Sequence, residues 1–296
     1  MKIKFTSFWR YTCSAISIFL MVVSIGAIGF KGLNWGQDFT GGIVSEIRLD
    51  KRIEEPVLRA TLKQNYGSEV SLIATGEPQR WVLRYPVTTK ENVNLSELSA
   101  QLDTSVETLN TSIVGPQVGQ ELAEQGGLAV LIAILCILGY LSFRFEWRLA
   151  SGALFALVHD VVFVVAFFSL TQMEFNLTIL AAVLAILGYS LNDSIIIADR
   201  IRELLIRKPD VPLAEINNMA VMATFSRTMV TSGTTLMTVV ALWIMGGEPL
   251  QGFSIAMFIG VLTGTFSSIA VGTSLPEWLG LTSKHYQAPP VVKDYR

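Results

Sequence analysis

Apolar residues dominate six stretches of this 296-residue chain, at about 11–30, 126–143, 149–171, 177–198, 228–245 and 251–275. Each has, or nearly has, the ~20 helical residues that cross a hydrocarbon core of about 30 Å. Between the first and second stretches the pattern changes. Alternation with period two at 42–49, 69–74, 81–85 and 108–114 predicts strands, and helical spacing at 54–65 and 96–102 predicts two helices. Gly67 falls just past the first helix, Gly76-Glu77-Pro78 reads as a turn, and Ser96 is placed to cap the second helix. The order βαββαβ is that of the ferredoxin-like split unit. Residues 116–125 then predict a connecting helix that feeds the second span. The fold class expected is a polytopic α-helical membrane protein of six transmembrane helices, with a ferredoxin-like α+β domain between helices one and two.

Composition agrees, because 51% hydrophobic and 16% charged residues with a mean hydropathy of +0.50 lie outside soluble usage. A net charge of −2 gives no electrostatic reason to expect nucleic-acid binding. The basic residues set the orientation. Lys2, Lys4 and Arg10, the link with Arg144 and Arg148, the link with Arg200, Arg202, Arg207 and Lys208, and the tail with Lys284, Lys293 and Arg296 all fall on one side, which is therefore cytoplasmic. The opposite links carry Glu174 and Glu248 and no basic residue. The chain divides into residues 1–30 (N-terminus and first span, read as a retained anchor), 31–125 (external domain), 126–275 (a five-helix bundle with a cytoplasmic loop at 199–225) and 276–296 (cytoplasmic tail). Cys13 and Cys136 lie in apolar runs and read as packing residues.

Candidate chemistry sits inside the spans. Asp193, in the fourth, costs roughly 2.5–3.5 kcal/mol to insert, so such a residue is expected to serve an ion pathway or a buried partner. It lies about five residues, roughly 8 Å, from the cytoplasmic end of its span. Arg227 opens the fifth span from the same side, and a carboxylate–guanidinium pair is one expectation. An ordinary inside-positive anchor is the other. Asp199, among Arg200, Arg202 and Glu203, reads as a solvated helix end. His159 and Asp160 lie about 15 Å into the third span, near the midplane. Neighbours point about 100° apart on a helix, so the pair is not expected to face one partner. A proton relay and a hydrogen-bonded packing role both stay open for them. Gly260 and Gly264 predict a close helix contact, within the chain or with another, and 212–225 predicts a short interfacial or connecting helix before the fifth span.

Enzyme chemistry is not expected. The Gly188-Tyr189-Ser190 context differs from that of intramembrane aspartyl proteases, and neither a phosphate-binding Gly-x-x-x-x-Gly-Lys run nor a His-Glu-x-x-His metal motif occurs. No cofactor or metal is anticipated.

Several motifs together resemble the SecF family, the smaller membrane subunit of the bacterial SecDF translocation accessory complex. They are Asn34-Trp35-Gly36-Gln37-Asp38-Phe39-Thr40-Gly41-Gly42, Val114-Gly115-Pro116-Gln117-Val118-Gly119-Gln120-Glu121-Leu122, Phe143-Arg144-Phe145-Glu146-Trp147-Arg148, Ala156-Leu157-Val158-His159-Asp160-Val161, Gly188 through Arg202, and Arg227-Thr228-Met229-Val230-Thr231-Ser232. The resemblance implies half of a twelve-span assembly of the resistance-nodulation-division superfamily, in the bacterial cytoplasmic membrane, with residues 31–125 periplasmic. SecD would supply the other six spans and an aspartate that completes the site. The SecYEG translocon, YajC, YidC, unfolded preprotein and the lipid bilayer are the further partners implied, and nucleic acid is not among them. The implied activity is use of the ion gradient to promote late-stage preprotein translocation and release. Asp193 and Arg227 match positions implicated in proton conduction. Asn192, Ser190, Ser194, His159 and Asp160 are supporting candidates, while Asp38, Phe39, Gly41, Gly42, Gly115 and Pro116 are structural motif residues. Ser194 and Ala198 depart from the usual motif. Proton and sodium stay open as the coupling ion, since Asn192, Ser190 and Ser194 offer oxygens to a hard cation. A half-transporter exporting a lipid or small molecule is the alternative.

Overall fold

A computed structural model describes residues 7–66, 70–74, 79–85 and 95–286. Six of its helices are long and apolar enough to cross a membrane. They are α1 (Ser7–Lys31), then, beyond a small α/β domain, α5 (Pro116–Arg144), α6 (Trp147–Thr171), α7 (Leu177–Arg207), α8 (Leu213–Met245) and α9 (Glu248–Trp278). Between α1 and α5 lie α2 (Gln37–Thr40), β1 (Gly42–Leu49), α3 (Glu55–Tyr66), β2 (Ser71–Ala74), β3 (Arg80–Tyr85), α4 (Leu95–Leu102) and β4 (Val106–Val114). Gly67, Glu69 and the turn at Gly76-Glu77-Pro78 lie outside the described residues.

Local chemistry explains where the long helices start and stop. Gly115 holds an extended conformation ahead of Pro116, whose fixed φ suits the first turn of α5 and whose missing N–H costs nothing there. The Glu146 side chain accepts from Arg148 N at the head of α6, and Asn176 Oδ1 accepts from Ile179 N at the head of α7. α6 ends on Gln172 in the left-handed conformation, and α8 ends at Gly246. The predicted connecting helix at 116–125 and the second span are one uninterrupted helix, α5.

Two predicted boundaries are corrected. The interfacial helix at 212–225 and the fifth span form the single helix α8, and α7 continues to Arg207, so 208–212 is all that remains non-helical of the loop predicted at 199–225. The physical reason is that the polar residues interrupting the apolar run turn inward. Asn217, Thr224 and Thr228 are buried, with Asn217 Nδ2 donating to Thr273 O at 3.0 Å and the Thr224 hydroxyl bonding back to Ala220 O at 3.0 Å. Ser96 is a further correction. It lies inside α4, which begins at Leu95, so it does not precede the helix as a cap.

The bundle is built around α6, α7 and α9. Half or more of the apolar window is buried in α9 (56%) and α6 (50%), against 6% in α5, which stands at the periphery. A cluster of Val164, Phe168, Ile179, Val183, Ile186 and Val261 ties the three together. In the small domain the strands pair antiparallel throughout, in the order β2-β3-β1-β4. On β1, Ile43, Ser45, Ile47 and Leu49 are buried in alternation, and Ile47, Leu49, Leu58, Leu83 and Leu98 fill the core beneath α3 and α4.

Candidate ion site in the helix bundle

Helix α7 carries Ser190, Asn192, Asp193 and Ser194. Its register against α8 is set by Tyr189 OH donating to Ser232 Oγ at 3.1 Å, with the Ser232 and Thr265 hydroxyls 2.7 Å apart to bring in α9. The two helices run antiparallel, so one turn further along α7 places Asp193 at the level of Thr228. Asp193 is buried, at 2% exposure, and its Oδ2 has no hydrogen-bond partner. The Thr228 hydroxyl, at 1% exposure, has none either. Buried polar atoms left unpaired are uncommon because each forfeits its hydration without compensation.

Arg227, adjacent to Thr228, has its side chain exposed. Its charge acts on the Asp193 carboxylate through the field, with no hydrogen bond between them. The expected carboxylate–guanidinium contact is therefore replaced by a longer-range attraction. The oxygen donors suggested for a hard cation do not converge on Asp193. Ser190 Oγ donates to Asp160 Oδ2 at 2.5 Å, Asn192 lies on the exposed side of α7, and Ser194 faces a small pocket lined by Leu149, Ala153, Ile201 and Ser268. A helix distributes neighbouring residues around its circumference, and only 190, 193 and 194 share the buried side.

The polar centre of the bundle is instead His159–Asp160. His159 Nδ1 lies 3.0 Å from Asp160 Oδ1, while the two side chains otherwise reach different helices, in keeping with neighbours that do not face one partner. Asp160 Oδ2 also accepts from Ser267 Oγ at 2.9 Å, and His159 Nε2 meets Ser17 Oγ on α1. Gly264 makes this possible. A Cβ there would sit 3.1 Å from Ser190 Cβ and 3.2 Å from Asp160 Oδ2, and one on Gly260 would meet Ile186 at 2.4 Å, so the predicted glycine contact lies within this chain, between α9 and α7.

Sequence reasoning missed a second cluster at the far end of the bundle from the small domain. Arg10, read as an inside-positive anchor, is 3% exposed and paired with Glu277 of α9. Tyr11 OH donates to the same carboxylate, and Asn217 Nδ2 lies 3.2 Å from it. Glu277 directly after Pro276 was the available signal. Asp199, expected at a solvated helix end, lies instead inside α7, which continues to Arg207; it is half-exposed, and Arg144 Nη2 bonds both its oxygens at 2.7 and 2.9 Å, tethering α5 to α7.

The motif after α1 fastens the small domain to α7. Gly36 N donates to Phe175 O at 2.8 Å, Phe175 N to Asn34 O at 2.7 Å, and Leu177 N to Asp38 Oδ2 at 3.0 Å. Asp38 thus supplies an acceptor, with a negative charge, to the first turn of α7 from outside that helix. Phe39 packs edge-on against Trp35, and Arg84 of β3 pairs with Glu174 in the α6–α7 link. Gly41 at φ +72° and Gly42 at φ +147° let the chain turn from α2 into β1, conformations other residues adopt only under strain. Replacing Asp38 by Ala is expected to cost about 1 kcal/mol, read as a melting temperature lowered by about 2 °C in detergent, whereas Asp38→Asn keeps an acceptor and loses less.

The fold and these buried groups define a polytopic membrane protein with a small α/β domain fastened at one end of its bundle. A family model described as protein export membrane protein SecD/SecF, C-terminal, matches residues 94–282, and the SecD/SecF GG motif matches residues 26–51. The protein translocase subunit SecF of Vibrio alginolyticus is 40% identical over 97% of this chain and 93% of its own length, and that of Escherichia coli O157:H7 is 40% identical over 97% and 91%. The crystal structure of SecDF from Thermus thermophilus superposes with a TM-score of 0.83 at 34% identity, over 93% of this chain. This chain spans 38% of that SecDF chain. The chain belongs to the SecF family of protein translocase subunits.

Proposed function

We propose that this chain is the SecF half of a SecDF complex in the bacterial inner membrane, coupling the ion gradient to late-stage translocation and release of preproteins. The observation that carries the reading is Asp193, a buried carboxylate with an unpartnered oxygen, acted on by a cation it does not touch. Such a group gains most from taking up a proton or cation, or from a partner's side chain. Each charge crossing 100 mV releases about 2.3 kcal/mol, enough to bias a conformational equilibrium repeatedly. Helix α7 carries Asp193 and is capped at its other end by Asp38, so a shift of α7 reaches the small domain directly.

In this reading the small domain is a ferredoxin-like unit on the periplasmic side, supported by the strand order β2-β3-β1-β4, and both termini are cytoplasmic. SecD is the partner that covers α8. Arg227, Thr231, Thr234 and Thr238 recur at helical spacing along an outward-facing stripe, and an arginine left to lipid alone would be costly. SecYEG, with YajC and YidC, would present the emerging preprotein.

The test uses inside-out vesicles from cells whose SecF is replaced by this chain. Preprotein release is expected to rise when a proton or sodium gradient is imposed and to return to baseline when the matching ionophore collapses it. The ion whose collapse matters is the coupling ion. Release unaffected by either gradient would overturn the proposal.

A further inference from the structure

We propose that the His159–Asp160 pair is a second proton-binding station, one that takes up and gives back a single proton at the imidazole, near the middle of the bundle and apart from Asp193. The inference extends the ion-coupling reading, but its geometry stands independently. Both side chains are closed off, at 1% and 0% exposure, and four helices converge on them. Ser17 comes from α1, the pair itself from α6, Ser190 from α7 and Ser267 from α9.

The donors can be counted. Asp160 accepts at Oδ2 from two serine hydroxyls and at Oδ1 from the imidazole Nδ1–H. With neutral imidazole the network carries a net charge of −1, surrounded by neutral donors in the bundle interior. A buried charge that is not balanced costs several kcal/mol. One proton on Nε2 converts the network to an imidazolium–carboxylate pair with no net charge. The Ser17 hydroxyl turns from donor to acceptor as the Nε2–H bond forms, and the Nδ1–H contact to Asp160 is unchanged. Two arrangements of the same heavy atoms therefore differ by one proton. Packing alone would be served as well by amide side chains, which form the same bonds with no charge.

A largely apolar groove of about 340 Å³ between α1, α6 and α9 reaches the edge of the pair, with His159, Ser17 and Thr263 among its lining residues. The other titratable groups near the pair are few. Cys13 lines the same groove, Tyr189 and Asp193 flank Ser190 on α7, and Arg227 lies beyond them on α8; α9 presents only hydroxyls, from Ser267 and Thr263. Ser190 sits one turn from Asp193, so the station and the candidate ion site share a segment of α7.

The chain has two histidines, which makes the station directly observable. The full chain, labelled with 15N-histidine and reconstituted with its unlabelled SecD-family partner in lipid nanodiscs, would be titrated from pH 5 to pH 8, the window in which imidazole changes charge. The His159 signal is identified by its loss in His159→Gln. Its Nε2 resonance is expected to pass from the unprotonated to the protonated range, and Asp160→Asn is expected to move the midpoint by at least about one pH unit, a tenfold change in proton affinity. Should Asp160→Asn not fold, Ser267→Ala removes one donor to the carboxylate and is expected to shift the midpoint in a smaller measure. A resonance unchanged across the range, or an identical midpoint in the variant that folds, would overturn the station. Vesicle release by Asp193→Asn reports on the ion-coupling reading alone, so the two proposals fail separately.

Discussion

Asp193→Asn is expected to abolish the gradient-dependent part of preprotein release while leaving the folded, membrane-inserted protein intact. Asparagine has nearly the same volume as aspartate and places polar atoms at the same positions, so the packing of α7 against α8 and α9 is retained. What it lacks is the ability to gain and lose a proton or to hold a cation by charge. A charge that crosses 100 mV contributes about 2.3 kcal/mol, equivalent to a bias of about fifty-fold, and the variant forfeits that bias. The measurement is release from inside-out vesicles with the gradient present and collapsed, beside the melting temperature of the purified complex. Asp193→Glu, which keeps the charge on a longer stem, is expected to recover part of the activity. Full gradient dependence in Asp193→Asn would remove Asp193 from the coupling step.

Glu277→Ala is expected to have the largest effect on stability. Arg10 is buried beneath α1, α8 and α9, and its guanidinium is held by the Glu277 carboxylate, with Asn218 Oδ1 at 3.3 Å and the Tyr11 ring centroid at 5.4 Å. Removing the carboxylate leaves a buried cation without its counter-charge and strands the Tyr11 hydroxyl and one contact of Asn217. Loss of one partner from a buried pair costs about 3–5 kcal/mol. Thermal melting, or the yield of folded protein in detergent, reads this directly. Arg10→Met with Glu277→Leu removes both charges together and is expected to restore much of the loss, because no unpaired charge remains. A double variant no more stable than Glu277→Ala would show that the pair holds the helices by more than mutual neutralisation.

Much of the fold was legible along the chain because it rests on local physics. Long apolar runs report spans, since lipid tolerates little else, and period-two alternation reports strands with one covered face. Gly115-Pro116 marked the head of α5 for the same reason: proline's fixed φ is a property of one residue. Continuity was less legible. Asn217, Thr224 and Thr228 interrupt the apolar pattern of α8, and the chain alone does not tell whether such residues face water or a neighbouring helix.

The candidate site divides in the same way. That a carboxylate at 193 and a His-Asp pair at 159–160 carry a cost is evident from their surroundings in the chain. Which groups relieve that cost is a tertiary matter. Ser17, Ser190 and Ser267 are unremarked hydroxyls until α1, α7 and α9 bring them to one point, and Gly264 matters because a side chain there would meet Asp160. Arg10 and Glu277 are 267 positions apart and share a burial that no local pattern reports. Hydrophobic periodicity determined how many apolar spans this protein has and which residues lipid would penalise; the packing of α1, α6, α7 and α9 decided which polar groups meet, because hydrogen bonds and charges act over a few ångströms of space and are blind to distance along the chain.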